Sequence, residues 1–232
     1  MTFRKVTTRF PSKHRTSRHR TLKEIFSSLR PSESGILTDK EILRAYRRGE
    51  IQITPFERDL IRPSALSLRL GHEAHTLVTT NPIDTAKRAT YPELKAKELD
   101  AHGRLALEPG EVMLAPTLER IAISTRMSGL MDGTSSYARL GISIVLSHQV
   151  TPGFGSDCGS VLTLEIVSRL SQTVYLYPGT RICNLMLFRS RRDNERSYAD
   201  IAPNYARDIS VSSSRLAEHL ATQGKAAPRK TA

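Results

Sequence analysis

From Ala65 to Leu70 the side chains alternate, Leu66, Leu68 and Leu70 against Ser67 and Arg69, before Gly71 breaks the run. A period of two is the signature of a strand with one buried face. Strand-like runs recur at Glu111 to Leu114, Ile121 to Ile123, Ile142 to Leu146, Val161 to Val167, Val174 to Tyr177 and Ile182 to Phe188. Pro109-Gly110, Pro152-Gly153 and Pro178-Gly179 punctuate them as turns. Many short strands with such turns predict an all-β barrel or sandwich. Helical spacing occurs at two places. Thr38-Asp39-Lys40-Glu41 has capping-box spacing ahead of Ile42, Leu43 and Tyr46, and Gly49 ends that short helix. Ser212 to Gln223, with Leu216 and Leu220 on one face, predicts a terminal helix.

A chain of 232 residues supports one good core, so a single domain with appendages is expected. The divisions read as a basic arm over 1–34, the domain over 35–212, and a helix with a basic tail over 213–232. No apolar run approaches the roughly 20 residues needed to cross a bilayer, and the start does not resemble a secretory signal. Cys158 and Cys183 are the only cysteines, without C-x-x-C spacing, which argues against a disulfide framework or zinc knot and fits a reducing cytoplasm.

The net charge of +12 first suggests nucleic acid as a partner. Its distribution changes that picture. Residues 1–34 hold nine Lys/Arg against Glu24 and Glu33, and Lys225, Arg229 and Lys230 close the chain, so the tails carry 10 of the 12 charges. A basic tail without apolar periodicity is read as a solvated, disordered arm, with weak polyanion binding as the alternative. An organelle transit peptide fits less well, given Pro11 and weak amphipathicity.

Several familiar sites fail on spacing. His72 and His75 stand three apart, where a helical zinc pair needs four. The run Gly153-Phe154-Gly155-Ser156-Asp157-Cys158-Gly159 has one residue too many for a dinucleotide fingerprint and opens no helix. The zinc deaminase signature, H-x-E followed by P-C-x-x-C, is absent, so any base deamination would proceed without a metal-activated water.

The informative stretch runs from Asp132 to Glu165. It contains Gly133-Thr134-Ser135-Ser136-Tyr137-Ala138-Arg139-Leu140-Gly141, then an apolar strand, Thr151-Pro152-Gly153-Phe154 and Leu162-Thr163-Leu164-Glu165. Paired hydroxyls followed by an arginine at a break between strands can offer N–H groups, O–H donors and a guanidinium fork to a polyphosphate. Taken alone, such a segment is more often a turn with a surface charge. The order of motifs decides between the two. Ile36-Leu37-Thr38-Asp39-Lys40-Glu41-Ile42, Arg62-Pro63-Ser64-Ala65-Leu66-Ser67-Leu68-Arg69-Leu70-Gly71, Glu108-Pro109-Gly110-Glu111, Thr117-Leu118-Glu119, Ser135 to Gly141, Pro152-Gly153-Phe154, Leu164-Glu165 and Tyr177-Pro178-Gly179-Thr180-Arg181-Ile182 follow in series. Over about residues 36 to 212 this resembles the dCTP deaminase family, a branch of the dUTPase-like superfamily.

The resemblance implies an all-β fold: a dUTPase-like distorted β-barrel of jelly-roll type, with a short N-terminal and a C-terminal helix. It implies hydrolytic, zinc-free deamination of dCTP to dUTP and ammonia in pyrimidine deoxynucleotide metabolism. It also implies Mg2+ carried on the triphosphate, and a homotrimer whose sites lie at subunit junctions. Carried over by position, Glu165 is the catalytic carboxylate, with Ser135 and Arg139 supporting water and substrate and Ser136 beside the phosphates. Thr134, Thr151, Thr163, Tyr198, Asn204 and Asp208 complete the candidate nucleotide-binding set. The chemistry suits these residue types: removing the C4 amine needs one group that takes a proton from water and later delivers it to the leaving nitrogen, and a partly buried glutamate can do both.

The chain departs from the family pattern at five places. Thr151 and Ser67 stand where aspartates are usual, and Ser147-His148 replaces Thr-Ala. The separation of Pro152 from Glu165 is several residues longer than usual. In the C-terminal lid, Asn204 and Asp208 flank Tyr205 where the family has Lys and Gln. Without the aspartate at 151, plain dUTPase activity is not expected. These departures leave a second reading, a trimer that binds nucleotide as a regulatory module without turning it over.

Overall fold

The computed structural model describes residues 34–155, 159–201, 205 and 208–225. The arm expected over 1–34, apart from Ser34, lies outside the described residues, as do Cys158, Asn204 and the tail beyond 225. The strands run in chain order β1 (Gly35–Ile36), β2 (Ile51–Thr54), β3 (Ile61–Arg62), β4 (Ala65–Arg69), β5 (Ala74–Val78), β6 (Glu93–Lys97), β7 (Leu105–Leu107), β8 (Val112–Ile123), β9 (Met127–Gly133), β10 (Ile142–Ser143), β11 (Gln149–Val150), β12 (Ser160–Ser168), β13 (Val174–Leu176) and β14 (Arg181–Arg189). The helices are α1 (Asp39–Arg47), α2 (Ser135–Arg139), α3 (Tyr198–Ile201) and α4 (Leu216–Lys225). None is long and apolar enough to cross a membrane.

The expected all-β fold is present, arranged as two open antiparallel sheets rather than a closed ring. One has the order β11-β9-β14-β4-β3 with β1 also on β14, and the other β10-β12-β8-β5-β6 with β2 also on β8; β7 and β13 pair separately. The sheets are stitched where β4 ends: Leu70 pairs with Thr117 of β8, and the Gly71 N–H donates to the Pro116 carbonyl at 2.8 Å. Gly71 is needed for that approach, since a Cβ would sit 2.8 Å from the same carbonyl oxygen. Between the sheets Leu66, Leu68, Met113, Ala115, Leu164, Ile166, Leu185 and Leu187 are fully buried, and each large side chain among them contributes about 1.5–3 kcal/mol relative to exposure.

A second tie crosses at the same place. Glu119 of β8 is 0% exposed; one of its oxygens accepts from Arg69 Nε at 2.6 Å and the other from the Arg69 N–H at 2.8 Å. The same guanidinium reaches the exposed Glu57 at 2.7 Å. Its remaining nitrogen, Nη2, is buried without a hydrogen-bond partner.

The predicted first helix forms as α1. The Glu41 carboxylate accepts from the Thr38 N–H at 2.8 Å, Ile42 and Ala45 face the core, and Tyr46 stacks on Phe56 at 3.9 Å between ring centroids. That N–H bond, followed by the Thr38 hydroxyl, lowers the Glu41 pKa. Gly49, at φ +72°, ends the helix as expected. Elsewhere the boundaries move. The runs at 111–114 and 121–123 belong to one long strand, β8. The run at Ile142 to Leu146 keeps strand geometry only over β10, because Ile144 and Val145 turn into the core and Leu146 swings outward. The terminal helix starts at Leu216, leaving Ser212 to Ser214 outside it.

Candidate active site

β12 carries the site because its two faces differ. Leu162, Leu164 and Ile166 point into the core, while Thr163, Glu165 and Val167 occupy the half-buried face. Keeping that alternation against β8 requires a bulge: Val161 pairs with Arg120, but Thr163 pairs with Pro116. The Leu162 N–H displaced by the bulge donates to the buried Thr117 hydroxyl at 3.0 Å, and that hydroxyl donates to the Glu119 carbonyl at 2.7 Å. Past the bulge Glu165 sits directly opposite Leu114. Thr117 thus sets the register that turns Glu165 out of the core.

Glu165 faces a cavity of about 610 Å³. Thr163, Glu165, Val112, Leu114, Leu77 and Leu94 supply one wall, from β12, β8, β5 and β6. Tyr91 and Pro92 line it as well, and the C-terminal segment contributes a roof of Tyr198, Tyr205, Asp208 and Ser212 to Ser214. Oxygen Oε2 of Glu165 accepts from the N–H groups of Leu146 at 3.1 Å and Ser147 at 3.3 Å. Its other oxygen has no hydrogen-bond partner among the described residues. The carboxylate is therefore held by backbone on one side and open on the other. Beside it the His148 ring Nδ1 lies 2.7 Å from the Met131 carbonyl, so the Ser147-His148 pair shapes this corner through backbone contacts.

Of the residues singled out in the sequence, Glu165, Thr163, Tyr198 and Asp208 meet on this cavity. The Tyr198 N–H donates to the Pro152 carbonyl at 2.9 Å and its ring lies 6.1 Å from Phe154. Burial raises the Tyr198 phenol pKa, with Tyr205 and Asp208 acting in the same direction and Arg215 against it. Asp208 accepts from the Ser212 hydroxyl at 2.5 Å, and its carbonyl accepts from the Val161 N–H at 3.1 Å, which lays the C-terminal segment against β12. Thr151 stays off the wall, its carbonyl closing a turn with the Phe154 N–H at 3.1 Å. Asn204 lies outside the described residues.

Thr134, Ser135, Ser136 and Arg139 do not reach the cavity of their own chain. α2 is anchored by the half-buried Tyr137, and Ser135, Ser136 and Arg139 point into solvent. The sequence reading did not include Leu77, Tyr91, Leu94 and Ser212 to Ser214. An apolar side chain on a cavity wall carries the same local signal as one in a core, so only the fold distinguishes them.

A family model described as dCTP deaminase-like matches residues 36–190. The chain belongs to the dCTP deaminase-like family. Among its curated relatives is the "dCTP deaminase, dUMP-forming" of Methanopyrus kandleri, 32% identical over 193 residues, covering 78% of this chain and 95% of that protein. The protein of the same description from Aquifex aeolicus is 30% identical over 164 residues, covering 71% and 87%. The crystal structure of the 2'-deoxycytidine 5'-triphosphate deaminase from Agrobacterium tumefaciens superposes with a TM-score of 0.52 at 22% identity, over 68% of this chain and 49% of that one, a likeness of fold. The family match takes in α2, β12 and Glu165 and stops before the Tyr198 to Ser214 roof. In this dCTP deaminase-like chain the roof is thus the part of the cavity lining that the family model leaves unmatched.

Proposed function

We propose that the chain is a hydrolytic deaminase of dCTP, with Glu165 moving the proton. What carries the reading is Glu165 itself, a carboxylate with one oxygen fixed by two backbone N–H groups and the other open to a nucleotide-sized cavity. The reaction needs that division of labour. The open oxygen takes a proton from water as the water oxygen bonds to C4 of cytosine and passes it to ring N3, where it stays. The carboxylate then takes the remaining hydroxyl proton and delivers it to the amine as C4=O forms. The C4–N bond breaks with its electron pair leaving on ammonia. The sequence alone points to dUTP as the product. The relatives are named for dUMP, and against the expectation drawn from Thr151 the proposed overall reaction is dCTP plus two waters giving dUMP, pyrophosphate and ammonia, the second water bonding to the α-phosphorus as pyrophosphate leaves. Magnesium enters as part of the substrate, on the triphosphate, and the setting is the cytoplasm.

The test is direct. Purified protein with dCTP and magnesium is expected to release one ammonia per dCTP consumed, with dUMP and pyrophosphate as companions. Saturable dCTP binding without ammonia release would instead establish the regulatory-module reading, and dUTP as the end product would remove the second hydrolysis.

We also propose a homotrimer in which Ser135, Ser136 and Arg139 of α2 complete a neighbour's site. Two observations support this: these side chains point away from their own cavity, and the exposed Leu140 (60%) and Leu146 (57%) flank them, Leu146 being the residue whose N–H holds Glu165. Glu165→Gln and Arg139→Ala are each expected to be inactive alone. Co-expressed in equal amounts they should regain about a quarter of wild-type activity, since random assembly gives that share of sites one intact carboxylate and one intact arginine. No recovery would place both residues in a site built by one chain.

A further inference from the structure

The cavity wall carries carboxylates and no cationic side chain among the described residues. The ionisable side chains on its wall, among the described residues, are Glu165, Asp208 and three tyrosines. Beside the magnesium and the neighbour's Arg139 already proposed for the phosphates, a cation of the same chain stands just behind that wall. Arg215 follows Ser214, which lines the roof, and its guanidinium lies 5.2 Å from the Tyr205 ring centroid. Its Nη2 stands 3.8 Å from an Asp208 oxygen, beyond hydrogen-bond reach, while the other Asp208 oxygen is occupied by the Ser212 hydroxyl. The side chain is 28% exposed, and its guanidinium donors have no hydrogen-bond partner among the described residues. A planar fork of donors that lies near an aromatic ring and is paired with a carboxylate only at 3.8 Å keeps its hydrogen-bonding capacity for phosphate oxygens.

Its position along the cavity also fits. The Asp208 carbonyl is bonded to the Val161 N–H, four residues along β12 from Glu165, which sets Asp208 roughly 13 Å along the strand from Glu165. That span matches a deoxycytidine nucleotide lying from its amino group at Glu165 to its phosphates at the Arg215 end. We propose that Arg215, beyond the segment matched by the family model, is the residue of the same chain that receives the phosphates and strengthens the preference for phosphorylated substrate. The inference rests on reading the cavity as a nucleotide site.

The experiment measures dissociation constants of the full chain for dCTP, dCMP and deoxycytidine, with wild type, Arg215→Gln and Arg215→Lys, alongside ammonia release and a thermal melt of each variant. Arg215→Gln should weaken dCTP binding roughly 10- to 100-fold and dCMP binding by less, and leave deoxycytidine within about twofold, while Arg215→Lys recovers part of the loss. An equal loss for all three ligands would mean that Arg215 only braces the roof through Asp208 and Tyr205, and it would overturn the proposal, as would no loss at all. Wild-type protein that binds the series but releases no ammonia defeats the deaminase reading and leaves the phosphate comparison to decide this one. Wild-type protein that binds none of the three defeats both.

Discussion

Replacing Glu165 by glutamine is expected to lower kcat for ammonia release by about 10²- to 10⁴-fold, the usual contribution of one positioned acid–base group, with KM for dCTP changing only a few-fold. The substitution is close to isosteric. An amide oxygen can still accept from the Leu146 and Ser147 N–H groups, so the corner that holds the side chain is kept. What is lost is the open oxygen's capacity to take a proton and return it, which no amide has. Glu165→Asp separates position from charge. The shorter side chain keeps the carboxylate but withdraws it by about 1.5 Å, a misplacement that costs on the order of 10²-fold. Steady-state ammonia release by all three proteins, with circular dichroism to verify the fold, gives the comparison. Turnover of Glu165→Gln within tenfold of wild type would remove Glu165 from the proton path and leave its contacts with Leu146 and Ser147 as structural.

The face of β12 was legible in the sequence because its alternation is unbroken: Leu162, Leu164 and Ile166 go inward, and Thr163 and Glu165 are left for the cavity. β9 was not. It is paired on both sides, by β11 and β14, yet Gly129 and Gly133 interrupt its apolar pattern. Both are demanded by packing, since a Cβ at Gly129 would sit 2.6 Å from Leu185 and one at Gly133 2.9 Å from Ile144. Close approach erases the periodicity that sequence reading relies on. The roof failed for a different reason. Ser212 to Ser214 read as the start of the terminal helix, but the Ser212 hydroxyl is engaged by the Asp208 carboxylate four residues earlier, which holds this non-helical stretch on the cavity. Asp208 itself read as a departure from the glutamine of the family pattern. In the fold it is the anchor of the roof and stands beside Arg215. Motif order located Glu165 and Tyr198 on the cavity, whereas the contributions of Leu77, Tyr91 and Leu94 depend on how β5 and β6 pair across the sheet.

Arg69→Met is expected to cost about 3–5 kcal/mol of folding stability, read as a fall in the urea midpoint at unchanged slope. Methionine fills much of the volume of the arginine stem, so the loss is electrostatic rather than a cavity. Glu119 is wholly buried, and both of its oxygens are satisfied from Arg69, one by the guanidinium and one by the backbone N–H. Removing the guanidinium leaves a buried charge with a single neutral donor. The outer partner matters less: Glu57 is 52% exposed, so Glu57→Gln should cost under about 1 kcal/mol. The double variant Arg69→Met with Glu119→Leu should recover most of the loss, because an apolar pair of similar volume matches a buried ion pair once neither charge is stranded. The unpartnered Nη2 of Arg69 strengthens that expectation, since the native network is itself incompletely satisfied. The pair crosses from β4 to β8 next to the Leu70–Thr117 bridge, and Thr117 also sets the register that directs Glu165 into the cavity. The single variant should therefore lose ammonia release at urea concentrations below its unfolding midpoint, and the double variant should regain it. A cost below about 1 kcal/mol for Arg69→Met would mean that water reaches Glu119 and that the two sheets are held together by apolar packing alone.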